Sequence, residues 1–334
     1  MSRYMMSRFT LPALTAAALV LAAIAPRAGA QDDEHGRNRG RHSRGMDADE
    51  TTTIDTTIAF AATGGVADLS LISGKITVTA WTRPEARVHV TSDHVPVHFE
   101  HEAGRLVLDS RGHRHMRGDN DDDDGDDDVE YTVTVPAGTR VILHSISGDL
   151  EVQGTRGEIE ARSVSGDVRV DDVAHNATLE SLSGNMTVHN VRGDLHMRTV
   201  SGDAEADAVT GDVTFTSVSG HGYLTRATCR NVHMESVSGD LTYGGTLDPS
   251  GTYDLHAHSG DVHIDLPADA GATVSLDSFS GEITSDFPIT IQPRGESGPA
   301  AQHLDATLGK GGARITVVTF SGDIELRSGT PHKR

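Results

Sequence analysis

The sequence has 334 residues, with 28 lysines and arginines against 49 aspartates and glutamates, for a net charge of −21. Aromatic side chains make up only 4% of it, which argues against a large enzyme core filled by big rings. The acidic balance argues against duplex nucleic acid, and the single Cys229 excludes an intrachain disulfide and a cysteine-built zinc site.

Arg3 and Arg8 precede an apolar stretch from Phe9 to Ala25, followed by Ala28-Gly29-Ala30. This pattern predicts a signal peptide over residues 1–30, cut after Ala30. The rival reading is an uncleaved anchor, but the stretch is about 17 residues long, alanine-rich and interrupted by Pro12. No cysteine lies near the cut, so a lipid anchor there is excluded. The expected protein is exported, to the periplasm, the cell surface or the medium, with no stable membrane span once the signal is removed. Residues 31–50 are polar and aperiodic and read as a flexible linker.

Residues 51–135 read as an all-β segment that forms the first irregular coils and a cap of a repeat array, with the array's Ser-Gly marker repeated at Ser73-Gly74 and Lys75 in the acidic place. Ile72 to Val78, Arg87 to Val90, Arg105 to Leu108 and Glu130 to Pro136 are its strand candidates. Within it, 111–128 is an acidic insertion expected to be disordered, holding eight aspartates between Asp119 and Asp128. An EF-hand calcium loop fails there: with Gly125 sixth, Tyr131 falls at the twelfth position, where a Glu is needed. The alternatives are a solvated, self-repelling loop and a loose divalent-cation binder.

From residue 136 to 328 the dipeptide Ser-Gly keeps time. Its glycines fall at 148, 166, 184, 202 and 220, every 18 residues, and then at 239, 260, 281 and 322. The last step, of 41, predicts a coil without its marker near Gly298 to His303. A half-period shows at Gly157, Gly193 and Gly211. After each marker the pattern alternates, as in Asp167-Val168-Arg169-Val170, the period-two signature of a strand with one buried face. Three columns are expected to point inward. They lie two residues before the glycine (Ile146, Val164, Leu182, Val200, Val218, Val237), two after it (Leu150, Val168, Met186) and four after it (Val152, Val170, Val188). One such unit cannot bury enough alone, so units must stack.

Two architectures fit, a parallel β-solenoid and an antiparallel meander. The positions matching Gly157 become His175 and Cys229 elsewhere, and a coil with two different corners explains this more simply. The expected fold is therefore all-β, a single-chain β-solenoid of about ten coils of 18–21 residues, with an irregular N-terminal cap and a basic tail at 329–334.

Gly64-Gly65, Ser73-Gly74-Lys75-Ile76-Thr77-Val78 with Trp81, Tyr131 to Gly138, and the serial units from Ser145 to Asp323 resemble the bacterial putative-adhesin family. The resemblance covers about residues 55–328. It implies a β-helix-like fold, export and an adhesive role, and it brings no catalytic residues.

The corner acids Asp149, Asp167, Asp203, Asp240 and Asp261, with Asn185, Glu282 and Asp323, would form a ridge if coils stack. Calcium between coils is one reading of that ridge, and acids that satisfy the turning backbone are the other. No other cofactor is expected. Asp254, His256 and His258 alternate as metal ligands on a strand would, as do His113 and His115, although His258 sits in an otherwise apolar column and so reads as a partly buried structural histidine. Hydrolase and nucleotide-binding motifs are missing. A polysaccharide-cleaving β-helix would need stacking rings along its outward column, where Glu151, Arg169, Thr187, Glu205 and Tyr223 supply one.

The expected function is that of a non-enzymatic surface module acting by multivalent contacts with a surface or envelope ligand, protein or glycan. The alternatives are an envelope scaffold or sensor that binds a periplasmic partner, and a carbohydrate-active β-helix enzyme.

Overall fold

A computed structural model describes residues 51–93, 95–102, 104–111, 128–288, 290–291 and 302–329. The expected signal peptide, the linker, most of the acidic insertion with His113 and His115, and the tail beyond Gly329 lie outside them. Among the described residues no helix is long and apolar enough to cross a membrane.

Among the described residues twenty-five strands succeed one another. The first nine are β1 (Thr51–Ala59), β2 (Thr63–Leu71), β3 (Gly74–Trp81), β4 (Glu85–Asp93), β5 (His98–Glu102), β6 (Arg105–Asp109), β7 (Val129–Pro136), β8 (Gly138–Ser145) and β9 (Asp149–Gln153). The regular run comprises β10 (Ile159–Ser163), β11 (Val168–Val173), β12 (Ala177–Ser181), β13 (Met186–Val191), β14 (Leu195–Ser201), β15 (Ala204–Val209) and β16 (Val213–Ser219). Two long strands, β17 (Gly222–Ser238) and β18 (Leu241–Ser259), each cross a corner. The chain then forms β19 (Val262–Leu266), β20 (Ala272–Ser280), β21 (Ile283–Ser285), β22 (Thr290–Ile291), β23 (Gln302–Leu308), β24 (Ala313–Ser321) and β25 (Ile324–Ser328).

Strands before the Ser-Gly corner build one face and strands after it build the other. Along the first face the order is β6–β2–β8–β10–β12–β14–β16–β17–β18–β24–β20, eleven strands and so eleven coils among the described residues, all paired in parallel. The second face runs β7–β3–β9–β11–β13–β15–β17–β18–β19–β25–β21, also parallel. Parallel pairing selects the solenoid over the meander. The register advances by 18 in the regular run, with Val168 beside Met186 and Met186 beside Ala204.

The ends depart from sequence order. The β2–β3 coil lies between the β6–β7 and β8–β9 coils, and the C-terminal β24–β25 coil lies between β18–β19 and β20–β21. The stack therefore begins before residue 136, and residues 51–135 supply two of its coils. The unmarked coil was expected near 298–303; of that stretch the structure describes only 302 and 303, which begin β23 (Gln302–Leu308), antiparallel to β20 rather than a parallel coil. The long step in the markers arises because β23 is a cap. Antiparallel strands close both ends, β5 on β6 and β4 on β7 at one, β23 on β20 at the other. Such caps blunt edges that would otherwise invite further strands.

The core runs as columns down the interior. Leu150, Val168, Met186 and Ala204 are buried, as are Val152, Val170, Val188 and Ala206, as expected. Each fully buried Val or Leu contributes about 2 kcal/mol. The third expected column is corrected. Ile146 and Val218 are exposed and Val164, Leu182, Val200 and Val237 are half-buried, while the residue before each, from Ser145 to Ser236, turns inward. Alternation holds within a strand, but the corner changes its parity.

Ser163 is inward because it closes the turn: the Gly166 N–H donates to its Oγ at 2.8 Å, and Gly184 does the same to Ser181. At the other corner, Gly154, Asp172, Asn190, Ala208 and Arg226 form one column of left-handed residues, φ between +49° and +77°.

Candidate functional site

The Ser-Gly corner carries two columns that run along most of the stack, the first from the β8–β9 coil onward and the second from the β2–β3 coil onward. The first is the acid column. Asp149, Asp167 and Asp203 are exposed, and Asp240 and Asp261 are half-buried. Each side chain accepts a backbone N–H from the neighbouring coil: Asp167 N–H to Asp149 Oδ1 at 3.0 Å, and Asn185 N–H to Asp167 Oδ1 at 2.9 Å. The ladder continues through Asn185, Asp203 and His221, whose Nδ1 accepts from Asp240 N–H at 3.1 Å. Asp240 and Asp261 extend it to Asp323, which accepts from Glu282. The five corner acids share one column, and each accepts a backbone N–H from the neighbouring coil. Among the described residues, no group of three or more His, Cys, Asp or Glu side chains is placed to hold a metal ion.

The second column is apolar and lies on the surface. In spatial order it runs Ile72, Ile146, Val164, Leu182, Val200, Val218, Val237, His258, Phe320 and Phe279. The backbone ladder fixes this succession, with Ser147 N–H to Ile72 O, Ser165 N–H to Ile146 O and Ser183 N–H to Val164 O. At its C-terminal end the His258 and Phe320 rings stack 5.1 Å apart, and Phe320 and Phe279 stack at 4.8 Å. These spacings match the separation of paired strands, about 4.8 Å. The ridge is legible in the sequence as a periodic apolar column, but alternation carried across the corner places it in the interior. His258, expected to be partly buried, is exposed within it.

Asp254 and His256 point outward on the first face as the alternation predicts. The His256 imidazole is held below its usual range by burial and by His233, whose ring lies 5.9 Å away. A shallow groove of about 420 Å³ runs beside them, lined by Asp194, His196, Asp212, Thr214, His233 and Asp254. On the second face Tyr223 is exposed, 6.1 Å from the His221 ring, and Glu205 shares its outward column. Cys229 is buried, and desolvation pushes its thiol up to about 11, out of reach of nucleophilic chemistry at neutral pH.

A family model described as Toastrack DUF4097 matches residues 119–327. No curated protein matches the chain. Among solved structures, a "putative adhesin" from Bacteroides fragilis NCTC 9343 is 13% identical, over 83% of this chain and 97% of that one, with a TM-score of 0.46. A "putative lipid binding protein" from Parabacteroides distasonis ATCC 8503 is 12% identical over 82% and 97%, with a TM-score of 0.48. A "putative cell adhesion protein" from Clostridium sporogenes ATCC 15579 is 10% identical over 84% and 100%, with a TM-score of 0.26.

Proposed function

Because the chain belongs to the Toastrack DUF4097 family, whose function is unassigned, we propose from its own geometry that it is an exported, non-enzymatic contact module that binds an envelope or surface ligand along one edge. The observation that carries this reading is the apolar ridge. Ten side chains stand at one-coil intervals along the surface, six exposed and four half-buried, on a scaffold held by continuous ladders on both faces. Repetition of a weak contact along a rigid support raises avidity without any single strong site. The rigidity comes from the parallel ladders and the buried columns, which leave each coil one preferred position against the next.

The test is binding of the immobilised full chain to isolated cell envelope while ridge residues are replaced one, two and three at a time, starting with Val164→Lys, Leu182→Lys and Val200→Lys. A graded loss supports multivalent contact. Abolition by one substitution, or binding indifferent to all of them, overturns it.

A further inference from the structure

We propose that the ridge docks a cationic amphipathic polypeptide segment, one with apolar side chains on one side and lysines or arginines beside them; this rests on reading the ridge as a contact surface. Two independent features of the corner point to that chemistry.

The first is where the exposed apolar groups lie. Six large hydrophobic side chains are exposed among the described residues, and five of them, Ile72, Ile146, Val218, Phe279 and Phe320, belong to this one column. Phe279 is 52% exposed and Phe320 46%, despite their mutual stacking. Isolated apolar side chains on a surface need no explanation, but these five, joined into one line by the half-buried Val164, Leu182, Val200 and Val237 and by His258, mark an interaction site.

The second is charge. Three residues further along each coil runs the acid column, in which seven of the nine positions from Asp149 to the terminal coils are Asp or Glu. A second copy laid antiparallel on the ridge would bring two such columns together, and in either orientation each copy carries a net charge of −21, so like charges disfavour association. A polyanion meets the same repulsion. A segment that buries leucine-like side chains on the ridge and sets cations against the acids satisfies both columns at once. A helix presents same-face side chains about every 5.4 Å, close to the coil spacing of about 4.8 Å, so it stays nearly in step over two or three turns.

The probe is a fluorescein-labelled peptide of leucine and lysine in helical alternation, titrated with the full chain and read by fluorescence anisotropy. A leucine–glutamate peptide of the same pattern and a lysine peptide lacking the leucines serve as comparisons. The leucine–lysine peptide is expected to bind, to weaken with added salt, and to lose about tenfold in affinity on Phe279→Ser with Phe320→Ser, about 1.4 kcal/mol. Ile146→Ser with Val218→Ser gives the same reading at the other end of the ridge should the first pair perturb the terminal coils. Unchanged melting temperature and circular dichroism qualify each variant.

Equal binding of the lysine peptide lacking leucines would reveal diffuse charge attraction and overturn the proposal, as would indifference to both variant pairs. Self-association abolished by the phenylalanine variants would make a second copy the occupant instead. If the peptide fails while envelope binding still depends on ridge residues, the partner chemistry is wrong and the contact-surface reading stands. If both fail, both fall.

Discussion

The rings of Phe279 and Phe320 stack 4.8 Å apart and within 5° of parallel, although 41 residues separate them in the chain. They meet because the β24–β25 coil enters the stack between two coils that precede it in sequence. Phe320 thereby lies between Phe279 and His258 and completes an aromatic end to the ridge. The fold and the candidate site share this one topological event.

Replacing Ser163 by Ala is expected to destabilise the stack by about 1–2 kcal/mol, because the buried Gly166 N–H loses its acceptor. The same change at Ser217, whose buried Oγ has no hydrogen-bond partner, is expected to be neutral or stabilising. The reason is a change of corner: from Gly202 onward the glycine N–H turns to the neighbouring coil's carbonyl, as Gly220 does to Ser238 O at 3.1 Å. Ala257 already occupies this column in a later coil. Denaturant midpoints of the two variants check the contrast, and equal losses would refute it.

The left-handed column makes opposite predictions for two residues. Ala208 holds φ +58°, which costs an L-residue about 1–2 kcal/mol, so Ala208→Gly should stabilise by about 0.5–1 kcal/mol after the added chain entropy is counted. Gly154→Ala, at φ +77° with the added Cβ meeting only the Ala80 Cβ at 3.9 Å, an ordinary contact, should destabilise by about 1 kcal/mol. Thermal melts of both decide the matter. Loss of stability on Ala208→Gly would mean that the column is unstrained.

The acid ladder separates hydrogen bonding from charge. Asp167→Ala should cost about 1 kcal/mol through the Asn185 N–H, whereas Asp167→Asn should cost less, since Asn185 does the same work in the next coil. Melting with calcium and with a chelator is the check. A calcium-dependent rise that disappears in Asp167→Asn would instead make the column a cation site.

His303 carries a pH signature. Burial opposes its protonation, but hydrogen bonds with Asp277 and Asp305 prevail and raise its pKa. A group whose pKa is raised on folding stabilises fully below its unfolded value, about 6.5, and loses that contribution as pH climbs through the folded value. The melting-temperature difference between the parent chain and His303→Gln should therefore be largest near pH 5.5 and shrink above neutrality. A difference that stays flat from acid to alkaline pH would exclude the coupling between β20 and β23.

What the sequence determined by itself was local and periodic. The recurrence of Ser-Gly, the alternation after each marker and the inward columns headed by Leu150 and Val152 arise from side-chain sequence within one coil, where the two-residue strand period is reliable. The left-handed column was only half legible, since Gly154, Asp172 and Asn190 tolerate that conformation but Ala208 and Arg226 do not announce it. The tertiary structure decided what local period cannot carry. A corner can take an odd or an even number of residues, so only the folded turn sets whether Ser163 or Val164 faces inward, and with that the whole ridge changed sides. Any coil offers much the same ladder to any other, so local pattern did not order the stack. Non-local pairing at the ends placed β2–β3 and β24–β25 out of sequence and brought Phe279, Phe320 and His258 into one line.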